Sequence, residues 1–222
     1  MSVRAFVVLV GKAGSGKTTE LKRHAAVCRR ALIVDVEQEW QLQPGDELVE
    51  GHAALFARLR ELGAVDPAVP FRLVYHDTVE RMQHAAPAAA FATRNLTLIV
   101  DELAWLCTAH YLPEFFRRLI QMGRKRRINV LGTTREPQEI HDLFFSQATL
   151  KYFFRVEPGN GLDRIRKRYP QLAEALPTLD VHEHRIDGDL STVELFGREG
   201  ESLDFSVPPP QVRRRNKKTP RS

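Results

Sequence analysis

The sequence has few cysteines and no long apolar run. Its two cysteines, Cys28 and Cys107, are too few for a disulfide framework or a four-cysteine zinc site. Both lie among apolar residues, which favours small buried thiols in a reducing compartment. No apolar stretch reaches 18 residues, so we expect no membrane insertion. The apolar segment Ala5–Val10 is too short for a secretory signal.

Acidic residues are missing from the C-terminus. The 222-residue chain carries 33 Lys and Arg against 28 Asp and Glu, a net charge of +5. The last fifteen residues, Pro208–Ser222, hold six cations and no acid. The rest of the chain is therefore close to neutral, and the full sequence, at 43% hydrophobic residues, can bury a core. We expect one domain over residues 1–207 and a flexible basic tail over residues 208–222, separated by the prolines Pro208–Pro210.

Continuous apolar runs alternate with longer amphipathic segments along most of the chain. This pattern predicts an α/β fold with a mostly parallel central sheet flanked by helices. Pro87 is expected to break the alanine-rich helix His84–Arg94. The predicted strands are Ala5–Val10, Ala31–Val36, Phe71–Tyr75, Leu96–Val100, Ile128–Leu131 and Ala148–Val156, and the other predicted helices are Lys17–Arg29, Ala53–Leu62, Pro113–Met122 and Leu162–Arg168.

The pattern changes after Val156. Two polar, alternating segments, Val181–Ile186 and Thr192–Phe196, flank the turn signal Asp187-Gly188. These segments predict a small C-terminal β-hairpin added to the α/β domain.

A glycine-rich segment matches the phosphate-binding pattern G-x-x-x-x-G-K-[ST] at every fixed position. It follows a predicted strand and precedes a predicted helix, as the pattern requires. The glycines let backbone N–H groups converge on phosphates, and the helix N-terminus favours negative charge. Lys17 can reach the β- and γ-phosphates, and the Thr18 hydroxyl can bind Mg²⁺. We therefore expect ATP to bind at Gly11, Lys12, Ala13, Gly14, Ser15, Gly16, Lys17, Thr18 and Thr19.

A second acidic site follows the apolar strand Leu96–Val100. In a parallel sheet the carboxyl end of a strand faces the ligand crevice, so Asp101 should lie near the phosphate loop and bind Mg²⁺. Glu102 is then placed to orient and deprotonate a water molecule, which favours hydrolysis over transfer to a second substrate. The alternative is that both residues are ordinary acids at a helix start.

Two further motifs give the chain a resemblance to a known group of proteins. In Ile33–Trp40, Asp35 is followed after four residues by Glu39 and then by Trp40. Gly123-Arg124 leads through an apolar strand to Thr133-Thr134-Arg135-Glu136-Pro137. With the two sites above, this ordered set resembles the FtsK–HerA superfamily of P-loop ATPases over roughly residues 3–156. The resemblance implies a RecA-like fold of the additional-strand, catalytic-glutamate type.

The last motif departs from the family at two positions. Arg135 stands where the family usually has a glutamine that senses the γ-phosphate, and Glu136 stands where it has an arginine. An arginine can contact phosphate with a fixed charge. The resemblance therefore leaves Thr134 and Arg135 as candidate contacts to the nucleotide.

The resemblance also implies a homo-oligomeric ring with nucleotide between subunits. An arginine from the neighbouring subunit completes such a site, and Arg124 occupies the family's position, with Arg126 and Arg127 as alternatives. The run Arg124–Arg127 can equally be a solvated basic helix end. Non-specific contacts to double-stranded DNA are expected from the tail and from Arg164, Arg166, Lys167 and Arg168.

The pair His182 and His184 is a weak candidate for a metal site. Residues two apart share one face of a strand, but no nearby cysteine or further histidine completes a ligand set. A polar, solvent-facing strand is the preferred interpretation.

The short chain is similar to the packaging ATPases of tailless, membrane-containing double-stranded DNA viruses, because no accessory domain is recognisable. This resemblance predicts an ATP- and Mg²⁺-dependent motor that packages a viral genome, with a capsid vertex protein as a further partner and the virion and host cytoplasm as its location. Two alternatives remain open. One is a small P-loop kinase of a nucleoside or metabolite, and the other is a phage assembly or export ATPase.

Overall fold

The computed structural model describes residues 6–66 and 69–187. These residues form an α/β domain built on an eight-stranded sheet with the strand order β3-β4-β2-β5-β6-β1-β7-β8. The strands are β1 (Phe6–Val10), β2 (Arg30–Asp35), β3 (Asp46–Glu50), β4 (Phe71–His76), β5 (Leu96–Asp101), β6 (Ile128–Thr134), β7 (Leu150–Phe153) and β8 (Arg185–Asp187).

Seven α-helices are described between these strands. They are α1 (Lys17–Ala26), α2 (His52–Val65), α3 (Val79–Thr93), α4 (Glu114–Met122), α5 (Asp142–Gln147), α6 (Asn160–Arg168) and α7 (Pro170–Ala175). None of the described helices is long and apolar enough to cross a membrane.

The strand pairings confirm the predicted mostly parallel sheet. In the order of the sheet, every neighbouring pair of strands from β3 across to β7 is parallel, and β8 pairs antiparallel with β7. Strand β6 lies between β1 and β5, so one added strand separates the phosphate-loop strand from the acidic strand. This order confirms the predicted additional-strand type.

The predicted C-terminal hairpin is represented by β8, which extends the sheet beyond β7. Its other predicted strand, Thr192–Phe196, lies outside the described residues, as does the basic tail Pro208–Ser222.

The sheet buries a separate apolar layer on each face. One layer packs residues from α2 to α7 against the sheet, including Leu55, Ala86 and Phe116. Among the described helices, α1 supplies the other layer, with Leu21 and Ala25 fully buried. Because both faces of the central strands are covered, these strands read as continuous apolar runs.

Helix α3 corrects one prediction. It runs unbroken from Val79 to Thr93 with Pro87 in its interior. Proline removes one backbone hydrogen bond, but Ala86, Ala89 and Ala90 are fully buried against the sheet. Tertiary packing of this alanine face and the high helix propensity of alanine hold the helix together across Pro87.

Strand β3 was not predicted. It forms the edge of the sheet beside β4, and only Val49 among its five residues is buried. An edge strand with one buried side chain has no apolar run and no regular alternation, so periodicity cannot reveal it.

Candidate active site

The phosphate loop joins β1 to α1 at the carboxyl edge of the sheet. The Gly11 N–H donates to the Thr134 carbonyl at 3.2 Å, and the Lys12 N–H donates to the Arg155 carbonyl at 2.9 Å. The loop is thus tied to the ends of the strands on both sides of β1. Gly14 has φ 71° and Gly16 has φ 105°, conformations that glycine adopts without steric cost.

Lys17, the first residue of α1, is buried under this loop. Its ammonium group donates to the carbonyl oxygens of Gly11 at 2.6 Å and Lys12 at 2.9 Å. Burial lowers the pKa of Lys17, while the nearby carboxylates of Glu102 and Asp101 act in the opposite direction. The site therefore holds one buried cation and two carboxylates within electrostatic reach of each other.

Asp101, the last residue of β5, faces the start of α1. The Thr18 hydroxyl lies 3.4 Å from Asp101 Oδ1, and the Thr133 hydroxyl donates to the same oxygen at 2.7 Å. The structure thus brings together the two predicted metal ligands, Thr18 and Asp101.

These donors suit Mg²⁺, which prefers oxygen ligands and usually binds through one or two carboxylates together with substrate phosphates. Within residues 6–66 and 69–187, no group of three His, Cys, Asp or Glu side chains could hold a metal ion by itself. A nucleotide-dependent Mg²⁺ site does not require such a group.

Glu102 sits immediately after β5 with a left-handed backbone at φ 68°. Its N–H donates to the Thr133 hydroxyl at 2.7 Å, and the residue is 6% exposed. The residue after Glu102 is Leu103, and Gly132 in β6 leaves room for its side chain, because a Cβ at position 132 would lie 2.5 Å from Leu103 Cδ1. The chain can therefore turn sharply after β5 and hold the Glu102 carboxylate at the loop.

Arg135 holds the Glu102 side chain from the other side. Its Nε lies 3.2 Å from Glu102 Oε2, and its guanidinium also pairs with Glu37 at 2.6 Å. Burial raises the pKa of Glu102, while the charges of Lys17 and Arg135 oppose that rise. Arg135 is thus next to the candidate base, at the position where the family has glutamine.

Sequence reasoning missed Thr133 and Glu37. Thr133 joins Asp101 and Glu102 through one hydroxyl, whereas the Thr134 hydroxyl donates to the Glu136 carbonyl at 3.1 Å. Alternation of side chains along β6 separates the two threonines. Only the register between β5 and β6 distinguishes Thr133 from Thr134 as the contact, and the sequence alone does not give that register.

Asp35 and Trp40 form a turn beside this site. The Asp35 carboxylate accepts the backbone N–H groups of Glu39 and Trp40, both at 3.0 Å, and lies 2.7 Å from His76 Nε2. Asp35 is also the register partner of Asp101 in the sheet. In this chain, the spacing from Asp35 to Glu39 and Trp40 lets one carboxylate close the turn that follows β2.

Arg124 lies far from the phosphate loop of its own chain. It belongs to the 3-10 turn Gly123–Arg126 before β6, and its side chain is exposed. Thr134 is the last residue of the seven-residue strand β6, so about 20 Å of strand separates it from this turn. Arg126 is less free, because its guanidinium lies 3.8 Å from the Phe91 ring centroid and donates to the Phe91 carbonyl.

Comparison with known proteins gives a match in structure and none in sequence. No family model matches the chain, and no curated protein matches it. The genome packaging NTPase B204 from Sulfolobus turreted icosahedral virus 2, in complex with ATP-gammaS, superposes with a TM-score of 0.65 at 18% identity, over 87% of this chain and 96% of that chain.

A second related structure agrees with the first. B204, the DNA-packaging ATPase from Sulfolobus turreted icosahedral virus, superposes with a TM-score of 0.58 at 20% identity, again over 87% of this chain and 96% of that chain. The chain thus has the fold of these P-loop NTPases, which confirms the predicted fold and the predicted resemblance at the level of structure.

Proposed function

We propose that this chain is an ATP-hydrolysing motor that translocates double-stranded DNA and packages a viral genome into a preformed capsid. The observation that carries the proposal is the buried side chain of Glu102 beside the phosphate loop, whose carboxylate pairs with Arg135 and whose backbone N–H donates to the Thr133 hydroxyl. A fixed carboxylate next to the phosphates suits activation of water. The shared fold with a genome packaging NTPase supports DNA as the track.

The phosphate loop and α1 supply the binding site for ATP. Backbone N–H groups later in the loop and at the start of α1 bind the phosphates, whereas those of Gly11 and Lys12 donate to the neighbouring strand ends. The Lys17 ammonium neutralises the β- and γ-phosphates. Thr18 and Asp101 hold Mg²⁺, which when bound neutralises charge developing on the transferred phosphoryl group. Glu102 orients a water molecule for attack and accepts its proton.

Arg135 is the proposed contact to the γ-phosphate. Its guanidinium is about half exposed and is shared between Glu102 and Glu37, so a triphosphate offers it a third anionic partner. Arginine donates several hydrogen bonds from a fixed planar group and keeps its charge. Thr134, through its backbone contact to Gly11, supports the shape of the loop.

The ring is proposed from the position of Arg124. This exposed residue lies at the end of the sheet away from the phosphate loop. It can therefore reach a nucleotide only on another subunit. An arginine supplied in trans stabilises the charge of the transition state. Mixed rings provide the test: Arg124→Ala subunits should regain turnover when combined with Lys17→Ala subunits, and absence of rescue would remove the trans role.

Contacts to DNA are proposed for the basic tail and for α6. On α6, Arg164 and Arg166 are paired with Asp142 and Asp163, whereas Lys167 is exposed. Phosphate contacts of this kind are independent of sequence and weaken with salt. A capsid vertex protein is the further proposed partner, and the virion and host cytoplasm are the proposed location.

The decisive experiment measures ATP hydrolysis with and without long double-stranded DNA over a range of salt concentrations. A translocase should be stimulated strongly by DNA, and the stimulation should fade as salt rises. Deleting residues 208–222 should flatten this salt dependence. Hydrolysis that ignores DNA but requires a small phosphoryl acceptor would overturn the proposal in favour of a kinase.

A further inference from the structure

The segment Asp180–His184, which we call the C-terminal strap, lies directly against the phosphate loop. The His182 N–H donates to the Ser15 carbonyl at 3.0 Å. The His182 imidazole is so close to Gly16 that a Cβ on that glycine would lie 2.5 Å from Nδ1. The strap therefore adds a wall to the loop that the phosphate-binding pattern does not include.

The strap is held in a defined shape at both of its ends. The Asp180 N–H donates to the Glu183 carboxylate and the Glu183 N–H donates to the Asp180 carbonyl, both at 3.1 Å. The His184 ring packs against Tyr152 and Phe154, with ring centroids 5.3 and 5.0 Å apart. These contacts fix the strap to β7, the strand next to β1.

The sheet order determines which part of a nucleotide meets the strap. Asp101 ends β5 and Glu102 follows it, and β5 lies on one side of β1. The strap lies on the other side of β1, beside β7 and β8. A nucleotide whose terminal phosphate points to the two acids extends its ribose and base away from them. The base therefore lies on the side of the strap.

The exposed groups of the strap suit a nucleobase. Val181 is 61% exposed and His182 is also exposed, so an apolar side chain and a flat imidazole stand uncovered next to the loop. Flat heteroaromatic bases stack well on such surfaces. The alternative role for His182 and His184, a metal site, lacks a third ligand among the residues that the structure describes.

We propose that the strap forms the base-side wall of the nucleotide site, with the His182 ring and the Val181 side chain packing against the base and ribose of ATP. This inference rests on the proposed binding of ATP at the phosphate loop. It adds two residues to the site, and it explains why Gly16 meets the strap at a distance that no other residue type permits.

The test compares two ligands that differ only in the nucleoside. Affinities for the ATP analogue AMPPCP and for inorganic tripolyphosphate, both with Mg²⁺, are measured by calorimetry for the full chain and for His182→Asn. Asparagine tolerates the left-handed backbone of His182, at φ 69°, and it keeps the backbone N–H bonded to Ser15. His84→Asn on α3 is the matched control.

The expected result is a selective loss. His182→Asn should bind AMPPCP about five- to tenfold more weakly, the loss of one stacking contact, with tripolyphosphate affinity within about twofold. Equal weakening of both ligands would show that His182 only shapes the loop, and no change in either would remove it from the site. Both results overturn the inference. Failure of the wild-type chain to bind AMPPCP would instead overturn the proposed function, whereas binding of AMPPCP without tripolyphosphate would contradict the phosphate loop as the main contact.

A second variant keeps the inference testable if His182→Asn does not fold. Val181→Ser changes one exposed side chain and leaves the strap backbone intact. It should weaken AMPPCP binding about two- to fivefold and leave tripolyphosphate binding unchanged. Unchanged AMPPCP affinity in this variant would exclude Val181 and with it the wall as proposed.

Discussion

The two sides of the phosphate loop are built from different interactions. On the side of β5 and β6, charged groups dominate: Asp101, Glu102 and Arg135 are joined by short hydrogen bonds and ion pairs. On the side of β7, backbone hydrogen bonds and packed rings dominate, as in the contacts of Phe154 and His184. Buried charges are thus concentrated on one side of the loop, whereas packed rings and backbone hydrogen bonds give the other side its shape.

This separation predicts that substitutions on the charged side change turnover or the preference for a γ-phosphate, whereas those on the β7 side change overall affinity or have very little effect. The two sides meet at Lys17, which therefore gives the largest expected effect. Lys17→Ala removes the buried cation that we propose neutralises the β- and γ-phosphates, so AMPPCP binding and ATP hydrolysis should both fall by at least about a hundredfold. Calorimetry and a phosphate-release assay measure the two quantities.

Lys22→Ala is the matched control, because Lys22 lies on the same helix and faces the Trp40 ring at 5.4 Å. It should retain both activities. Wild-type turnover in Lys17→Ala would contradict the assignment of the loop.

Glu102→Gln should separate binding from chemistry. The amide keeps the size of the side chain but cannot accept the proton of the attacking water, so hydrolysis should fall about 10²- to 10⁴-fold. AMPPCP binding should persist. A phosphate-release assay beside calorimetry measures the split, with Glu50→Gln on the exposed edge strand as control. Normal turnover would exclude Glu102 as the base.

Arg135→Gln introduces the residue that FtsK–HerA ATPases, which this chain resembles, usually have at this position, and it should have a smaller effect. It removes a fixed positive charge from the γ-phosphate side, so the preference for AMPPCP over ADP should fall about tenfold. The measurement is the ratio of the two affinities. An unchanged ratio would place Arg135 in contact with carboxylates only.

The smallest effect is expected on the β7 side, at the exposed ion pair between Lys12 and Glu157. Lys12 lowers the pKa of the Glu157 carboxyl, but solvent screens exposed pairs of this kind. Glu157→Gln should leave ATP turnover within about twofold of wild type. A large loss would show that this side also carries charge-dependent chemistry.

Much of the fold follows from local patterns in the sequence. The β1 and β5 strands are apolar runs, and the phosphate loop follows β1 with its glycines at the required spacing. The helix α3 was misjudged at Pro87, because its stability comes from packing against the sheet. The edge strand β3 was missed, because one buried side chain gives no periodic signal.

The candidate site was predicted in part for a similar reason. Lys17, Thr18 and Asp101 come together as expected, because the carboxyl ends of β1 and β5 lie at the same edge of a parallel sheet, with only β6 between them. The contacts of Thr133 and Glu37 depend on the register of β6 and on a turn after β2, which tertiary structure sets. The place of the strap depends on chain separated from Ser15 by more than 160 residues in sequence.

Strand β6 runs from the turn that holds the exposed Arg124, at one end of the sheet, to Thr133 near the other end. Its seven residues are all buried, and it is paired in register with β1 and with β5. A strand held on both sides cannot slide gradually, because a shift by one residue would turn every side chain to the wrong face. A displacement of the turn that holds Arg124 therefore reaches Thr133 only as a rigid movement of β6 together with its two neighbouring strands.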